Sequence, residues 1–386
     1  MNSHSNSLLD KVKLALNQSV AYTAARLPSL RAAATAEVLP PAAAFHPARP
    51  RNADKLPASL ARFFEEEIRL PAVELFTVRD VSVSWHMLVF NYLRMFLPAL
   101  AHPREEKHYQ GTYLLLQWRA PQVLPPPDGR ELALVHNQWT GSNYYHWLID
   151  SLPRLLLLQA THPGCRLLMP APVPAFVRES AALLGFTDFL LLERGQVLRT
   201  PRLLVPGHPA PPGYQRPELL RQLRARLLAA ICPGQAPPVP RRKVYITRRR
   251  QRVRRLLNEE ELTDLLIRHG YETVEFEGLS LAEQARLMME TKSFVSLHGA
   301  GLTNMLFLPP GTPVAELLNA DKLVRRQNKD FENLIYFRMA SALALPYYCL
   351  PCANVDDDPP TNEAHLRVDV AAFGELLELL EAHLAS

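Results

Sequence analysis

Cysteine and glycine are scarce in this chain, and no long apolar run interrupts it. Four cysteines in 386 residues are too few to staple a fold, so a disulfide scaffold is excluded and a reducing compartment is expected. With only 15 glycines, any place where they cluster carries information. No stretch reaches the ~18 uninterrupted apolar residues that a spanning helix needs. The nearest, residues 85–101, holds His86, Asn91 and Arg94. Leu8 to Leu16 is broken by Asp10, Lys11 and Lys13 with no basic stretch before it, which argues against a secretory leader. A soluble, cytoplasmic chain is therefore expected. Leu9, Val12, Leu16 and Val20 recur at near-helical spacing. They would lay a short helix either on the inner face of a membrane or on the protein's own core, and the core is the commoner outcome. Charge of one sign is also in short supply: 43 basic against 38 acidic residues leave +5. That balance demands no nucleic-acid partner, so the distribution of the basic residues matters more than their sum.

What is present is ordinary globular material, 48% apolar and 21% charged. At about 150 residues per domain the length predicts two sizeable domains. The 35 prolines mark the joints. Residues 1–60 read as an N-terminal helix and an Ala/Pro-rich connector, 61–235 as a first domain, 236–350 as a second, and 351–386 as a C-terminal loop and helix. Tyr113 to Trp118 and Leu132 to His136 look like strands around the turn Pro125 to Gly129. Pro217 opens a helix over Glu218 to Ile231. From Lys243 the pattern becomes strand, loop and helix in repetition. Val244 to Thr247, Tyr271 to Phe276, Phe294 to Leu297 and Val314 to Leu317 are the strands, and Ser280 with Glu283 forms a capping box at a helix start. Such alternation predicts an α/β fold with a parallel sheet covered on both faces, and ligands bind such sheets at the carboxyl ends of the strands. The C-terminal residues Phe373, Leu376, Leu377, Leu380 and Leu384 form one apolar helical stripe.

Two sets of residues suggest chemistry at those ends. In the second domain a strand runs into His298-Gly299-Ala300-Gly301 and then into a helix, a junction whose small residues let backbone N–H groups approach phosphate oxygens. His298 adds a donor. Alone, the short glycine motif is equally a tight turn. Its context is the run from Arg241 to Arg255, which holds nine Arg or Lys residues and no acid. Arg248 directly follows a strand and Arg255 precedes the helix start at Asn258, so both are candidate phosphate ligands. Glu316, near the end of the next strand, is placed to accept hydrogen bonds from ribose hydroxyls. In the first domain, Asn143, His146, Asp150 and Arg154 fall along one stripe of an otherwise apolar helix, the arrangement of a cleft lining. Asp150, at i+4, can orient His146 as a general base. A structural His–Asp pair is the competing explanation. Cys349-Leu350-Pro351-Cys352 reads as paired core thiols, and Asp356 to Asp358 as a solvated charge run.

The strand Tyr245 to Arg248, the segment Arg255 to Glu259, Ser280 to Gln284 and His298-Gly299-Ala300-Gly301-Leu302-Thr303-Asn304 together resemble glycosyltransferase family 61, and Asn143 to Arg154 is similar to that family's first-domain signature. The resemblance covers about Val135 to Leu350. It implies a GT-B-like fold, two Rossmann-like domains facing across a cleft, with a C-terminal helix returning to the first domain. It also implies transfer of a sugar, with inversion and without a metal or other cofactor, from a nucleotide-linked and typically UDP-linked donor. The implied acceptor is a glycan or lipid-linked saccharide hydroxyl, in capsular or other surface polysaccharide biosynthesis. To the donor-side residues Arg248, Arg255, His298, Gly299, Ala300, Gly301 and Glu316 it adds Asn258, Glu259 and Asn304; Asn143 and Arg154 fall on the acceptor side. His146 is the first candidate for the base and Asp150 the second. A non-catalytic nucleotide-sugar or polysaccharide-binding subunit is the alternative.

Overall fold

The computed structural model describes residues 35–91, 94–96, 99–100, 122–123, 130–141, 143–320, 334–355 and 363–386. The expected helix near the N-terminus, the strand Tyr113 to Trp118, the turn Pro125 to Gly129 and the acidic run Asp356 to Asp358 lie outside these residues. The chain divides into two compact units, residues 1–42 with 71–212 and residues 43–70 with 213–386. The division falls at Pro212/Gly213, upstream of the boundary expected near residue 235. The helix Pro217–Ile231 accordingly belongs to the second unit, where Arg221 Nε donates to the Ala342 carbonyl at 2.8 Å.

The first unit is built on a mixed sheet. Its parallel part places Phe189–Leu192, Arg166–Pro170, Leu132–Ala133 and Val197–Pro206 side by side in that order. The long strand Glu74–Ser84 then pairs antiparallel with Val197–Pro206. Numbered along the chain, the four parallel strands run 3-2-1-4, so the winding reverses beside Leu132–Ala133. The core is aliphatic, with Val78, Val81, Val83, Leu132, Leu168 and Leu203 all at or near zero exposure.

The second unit holds a six-stranded sheet in the order Tyr271–Val274, Arg242–Ile246, Thr291–Leu297, Val314–Asn319, Tyr347–Asn354 and Leu366–Arg367. All pairs are parallel except the last. Buried on both faces, the central strands read as near-continuous apolar runs, such as Phe294-Val295 and Ala315 with Leu317-Leu318, as parallel strands must. Ser280 and Glu283 form the expected reciprocal cap of the helix Leu281–Met289. The five parallel strands run 2-1-3-4-5 along the chain, an order of the doubly wound Rossmann-like class.

The C-terminal helix Val370–Ala385 departs from expectation. Instead of returning to the first domain it belongs to the second unit, where Phe373, Leu376, Leu377 and Leu380 join Tyr245, Leu262, Leu266 and Tyr348 in one core. The reason is burial: its apolar stripe covers the sheet face that its own unit would otherwise expose. Lys243 Nζ bonds Glu381 at 2.8 Å on the same helix. Residues 43–70 also join this unit. Asn52 exchanges two hydrogen bonds with the Cys349 backbone, at 2.8 and 3.2 Å, and so covers part of a strand edge. Cys349 and Cys352 are buried free thiols. Among the described residues no helix is long and apolar enough to cross a membrane.

Candidate functional site

In the second unit the winding reverses between Arg242–Ile246 and Thr291–Leu297, and the crevice outside the carboxyl ends of such strands is where doubly wound sheets take ligands. Thr247 and Arg248 follow the first strand and His298 and Gly299 the second, so topology brings the basic loop to the glycine turn. A Cβ added at Gly299 would collide with Arg248 Nη1 and lie 3.0 Å from its Cζ. The backbone at Gly299, at φ 163°, is extended and open to any residue. What favours glycine there is the guanidinium packed against it, which a side chain would displace.

Arg248 is half-buried, and among the described residues its one hydrogen bond is from Nε to the Arg254 carbonyl at 3.1 Å. Among the described residues no carboxylate forms an ion pair with it. Burial, and then the neighbouring Arg254, hold its guanidinium below the ordinary arginine value. Arg254 stands at φ 56°, a left-handed conformation that costs about 1 kcal/mol or more for a non-glycine residue. Its Nη1 donates to the His298 carbonyl at 3.4 Å. The rest of the basic run is neutralised or solvated. Arg242 pairs with Glu272 at 2.6 Å, Lys243 with Glu381 at 2.8 Å and Arg250 with Glu275 at 2.9 Å.

His298, at 9% exposure, packs edge to face on Tyr336 with ring centroids 5.1 Å apart. Its Nδ1 bonds Glu316 Oε1, and Tyr347 donates its hydroxyl to Glu316 Oε2 at 2.6 Å. Burial raises the Tyr336 hydroxyl well above its usual value, and burial with the Glu316 charge does the same for Tyr347. Both remain protonated. The helical segment Ala300–Phe307 starts at once after Gly299, leaving its first N–H groups without intrahelical partners.

Several sequence expectations are corrected here. Glu316 is fully buried with both oxygens engaged, so it is no ribose ligand. Arg255 is exposed, and its neighbour Arg254 makes the contact to the glycine turn. Asn258 clamps the Val368 backbone with Nδ2 to its carbonyl at 2.9 Å and Oδ1 from its N–H at 3.1 Å. Glu259 accepts from Tyr245 at 2.8 Å, and Asn304 bonds Gln284 at 3.0 Å. All three are buried structural partners. Gly301 is in ordinary contact with Ile246 at 3.4 Å. Arg254, Tyr336 and Tyr347 are site residues that the sequence patterns do not single out. Arg254 was one of nine like residues, and nothing local in the sequence marks either tyrosine.

The first unit presents the other candidates. Asn143 caps a helix start, its Oδ1 accepting the His146 N–H at 3.3 Å. The helix then passes through a π segment, Trp147–Ser151, before resuming as Leu152–Thr161. The wider turn breaks the single stripe assumed from uniform helical spacing, and π segments recur at functional sites. His146 Nδ1 bonds Asp150 Oδ2 at 2.7 Å, with side-chain exposures of 22% and 11%. This fixes the imidazole by one nitrogen. Trp139 packs beside it, centroids 5.0 Å apart. Arg154 is not a cleft residue. It is fully buried, donating to the carbonyls of Val135 at 2.6 Å, Pro206 at 2.8 Å and Leu134 at 3.3 Å, and burial lowers it to about 9.

Comparison with known proteins bears on the same stretch. Residues 144–315 match the family model described as Glycosyltransferase 61. The EGF domain-specific O-linked N-acetylglucosamine transferase of Drosophila melanogaster is 36% identical over 87 residues, 21% of this chain and 17% of that protein. The rat protein of the same description is 31% identical over 115 residues, 28% of this chain and 22% of that protein. The matched part thus spans about a fifth of these relatives.

Proposed function

From the match of residues 144–315 to the Glycosyltransferase 61 family model, we propose that the chain is a glycosyltransferase of that family, which transfers a sugar from a nucleotide-linked donor to an acceptor hydroxyl, with inversion and without a metal. The acceptor oxygen attacks the anomeric carbon as the bond to the diphosphate breaks, and negative charge accumulates on the leaving group. Arg248, Arg254, His298 and the N–H groups after Gly299 are the groups that would receive that charge. His146, held by Asp150, takes the acceptor proton through its other ring nitrogen. The GT-B arrangement, with the donor in the second Rossmann-like domain and the acceptor in the first, is part of the same proposal. So is action in the cytoplasm on a capsular or other surface glycan. The names of the relatives, N-acetylglucosamine transferases, make N-acetylglucosamine the first sugar to try, carried on UDP as the family resemblance implies.

The observation that carries this reading is Arg248: a half-buried guanidinium that pairs with no carboxylate among the described residues, packed on a glycine at the point where the sheet's winding reverses. A buried cation left unpaired is costly, and a diphosphate satisfies it. The test is a thermal-shift screen over nucleotides and nucleotide sugars, followed by transfer assays with the stabilising donor and wild-type or Arg248→Ala protein. Donor-dependent stabilisation and a rate loss of about a hundredfold or more in the variant, with an unchanged melting temperature, are expected. Absence of stabilisation by any nucleotide would overturn the reading.

A further inference from the structure

Behind the glycine turn lies a buried hydrogen-bonded chain that the proposed reaction does not yet use. Glu316 has no exposure and Tyr347 3%, in a sheet interior where an unneeded carboxylate would be strongly disfavoured. Both carboxylate oxygens are taken, one by the His298 Nδ1 and the other by the Tyr347 hydroxyl. Tyr347 stays protonated because burial and the Glu316 charge disfavour its phenolate, so it can only donate. His298 is held on further sides: its backbone N–H bonds the Leu317 carbonyl at 3.0 Å, its carbonyl accepts from Arg254, and Tyr336 packs on its ring. One ring edge thus meets a fully buried acid, and the side chain retains 11% exposure.

We propose that Glu316 and Tyr347 are positioning residues, which grip the His298 imidazole by Nδ1 and maintain it as a hydrogen-bond donor to the diphosphate beside Arg248 and Arg254. This rests on the donor-binding reading above and assigns a task within it. An acid that accepts from Nδ1 stabilises the imidazolium, and in that form the outer nitrogen also carries a proton to offer. The ring of His298 meets Glu316 and Tyr336, Arg254 reaches its carbonyl and Arg248 packs on the next residue, Gly299, with Tyr347 and Cys349 one step behind through Glu316. The two arginines oppose a further positive charge and Glu316 favours it. The carboxylate is thus the element whose removal should alter the behaviour of the site most.

The experiment is calorimetric titration of UDP and of inorganic pyrophosphate into wild-type, Glu316→Gln and Tyr347→Phe proteins, on both sides of the ordinary imidazole value of about 6.5. Comparing proteins at each pH cancels the ligands' own ionisation. Near neutrality Glu316→Gln should bind both probes about tenfold more weakly, the gap closing as the pH falls and the imidazole is protonated without help. Tyr347→Phe keeps the ring and loses one donor, and a two- to threefold weakening of the same pH dependence is expected. A deficit that is constant with pH, or none, overturns the proposal. If a variant does not fold, nitrogen-edited NMR of the wild-type histidines near neutrality decides: protons on both His298 ring nitrogens support the proposal, and a bare nitrogen on either edge overturns it. Wild-type protein that binds neither probe refutes the donor-site reading itself.

Discussion

Each unit contains a point where the winding of its parallel strands reverses, and the two are furnished in opposite ways. In the second unit the crevice between Arg242–Ile246 and Thr291–Leu297 is bordered by Gly299, with the guanidinium of Arg248, which no described carboxylate pairs, packed on it. In the first unit the corresponding place lies between Leu132–Ala133 and Val197–Pro206, and Arg154 fills it. The ladder holds through Leu134, whose N–H reaches the Leu204 carbonyl at 2.8 Å. Beyond that the strands part, and one guanidinium bonds carbonyls from both sides of the split. The same side chain at the same topological position serves as a plug in one unit and as an open cation in the other. What separates them is the partners: three main-chain carbonyls satisfy the first, and among the described residues the second meets one.

The largest effect should come from removing the plug. Arg154→Ala leaves the Val135, Pro206 and Leu134 carbonyls without their donors and opens a void at 0% exposure. Truncating one member of such a buried charged network costs about 3–5 kcal/mol. Chemical denaturation should register this as a lower midpoint or as loss of the first unit. A stable Arg154→Ala protein that has merely lost acceptor binding would restore Arg154 to the cleft and erase the contrast.

Next in size is the response to acid. His136, 4% exposed beside Thr140 at 2.9 Å, is lowered to about 3 by burial and then by Arg154. Burial and then Arg154 likewise lower His208 to about 3. Between about pH 6.5 and 3 the unfolded chain binds protons that these folded histidines refuse. Stability therefore falls as the pH drops through that window. For His136 alone the loss at pH 5 is about 2 kcal/mol. Thermal unfolding at pH 7 and pH 5 measures it, and His136→Gln should flatten the slope. An equal slope in the variant would show that the histidine is not buried neutral.

The third prediction addresses the open cation. Gly299→Ala pushes against the far end of a flexible side chain and leaves the backbone where it was, so stability should change by less than about 1 kcal/mol. The guanidinium has to move, and UDP affinity should fall about tenfold. Loss of fold without loss of affinity in the surviving protein would mean that the glycine serves the turn alone.

How much of this was legible in the sequence follows from the range of the interactions. The βα alternation, the capping box at Ser280 and the strand that feeds the glycine turn are local patterns, and they appear where the periodicity put them. Arg248 and Gly299 were legible because parallel strand order brings carboxyl ends together. The uses of Arg154 and Glu316 were not, since both depend on partners distant in the chain, Pro206 for one and Tyr347 for the other. A polar residue on an apolar stripe signals either a cleft or a buried network, and spacing alone does not separate them. The π segment Trp147–Ser151 has no compositional mark at all. The C-terminal helix was legible as an apolar stripe, but the face it covers is a matter of packing.

The smallest expected effect separates two adjacent arginines. Arg255 is exposed, and among the described residues its hydrogen bonds are made by its backbone, the N–H to His365 at 3.1 Å and the carbonyl from Leu366 at 2.9 Å. Arg255→Ala keeps both and should change stability and UDP affinity by no more than about 0.5 kcal/mol. Arg254 carries the strained backbone, at φ 56°, and the contact to the His298 carbonyl. Arg254→Gly relieves the backbone by about 1 kcal/mol and removes one of the two converging charges. The variant should melt no lower than wild type, yet bind UDP several-fold more weakly, with a shallower dependence on salt. A residue kept in a conformation that glycine would occupy more cheaply is retained for its side chain, and these two measurements weigh that side chain directly. If Arg255→Ala proves the more damaging substitution, the cation that completes the site is the one the sequence singled out, and the contact to His298 is incidental.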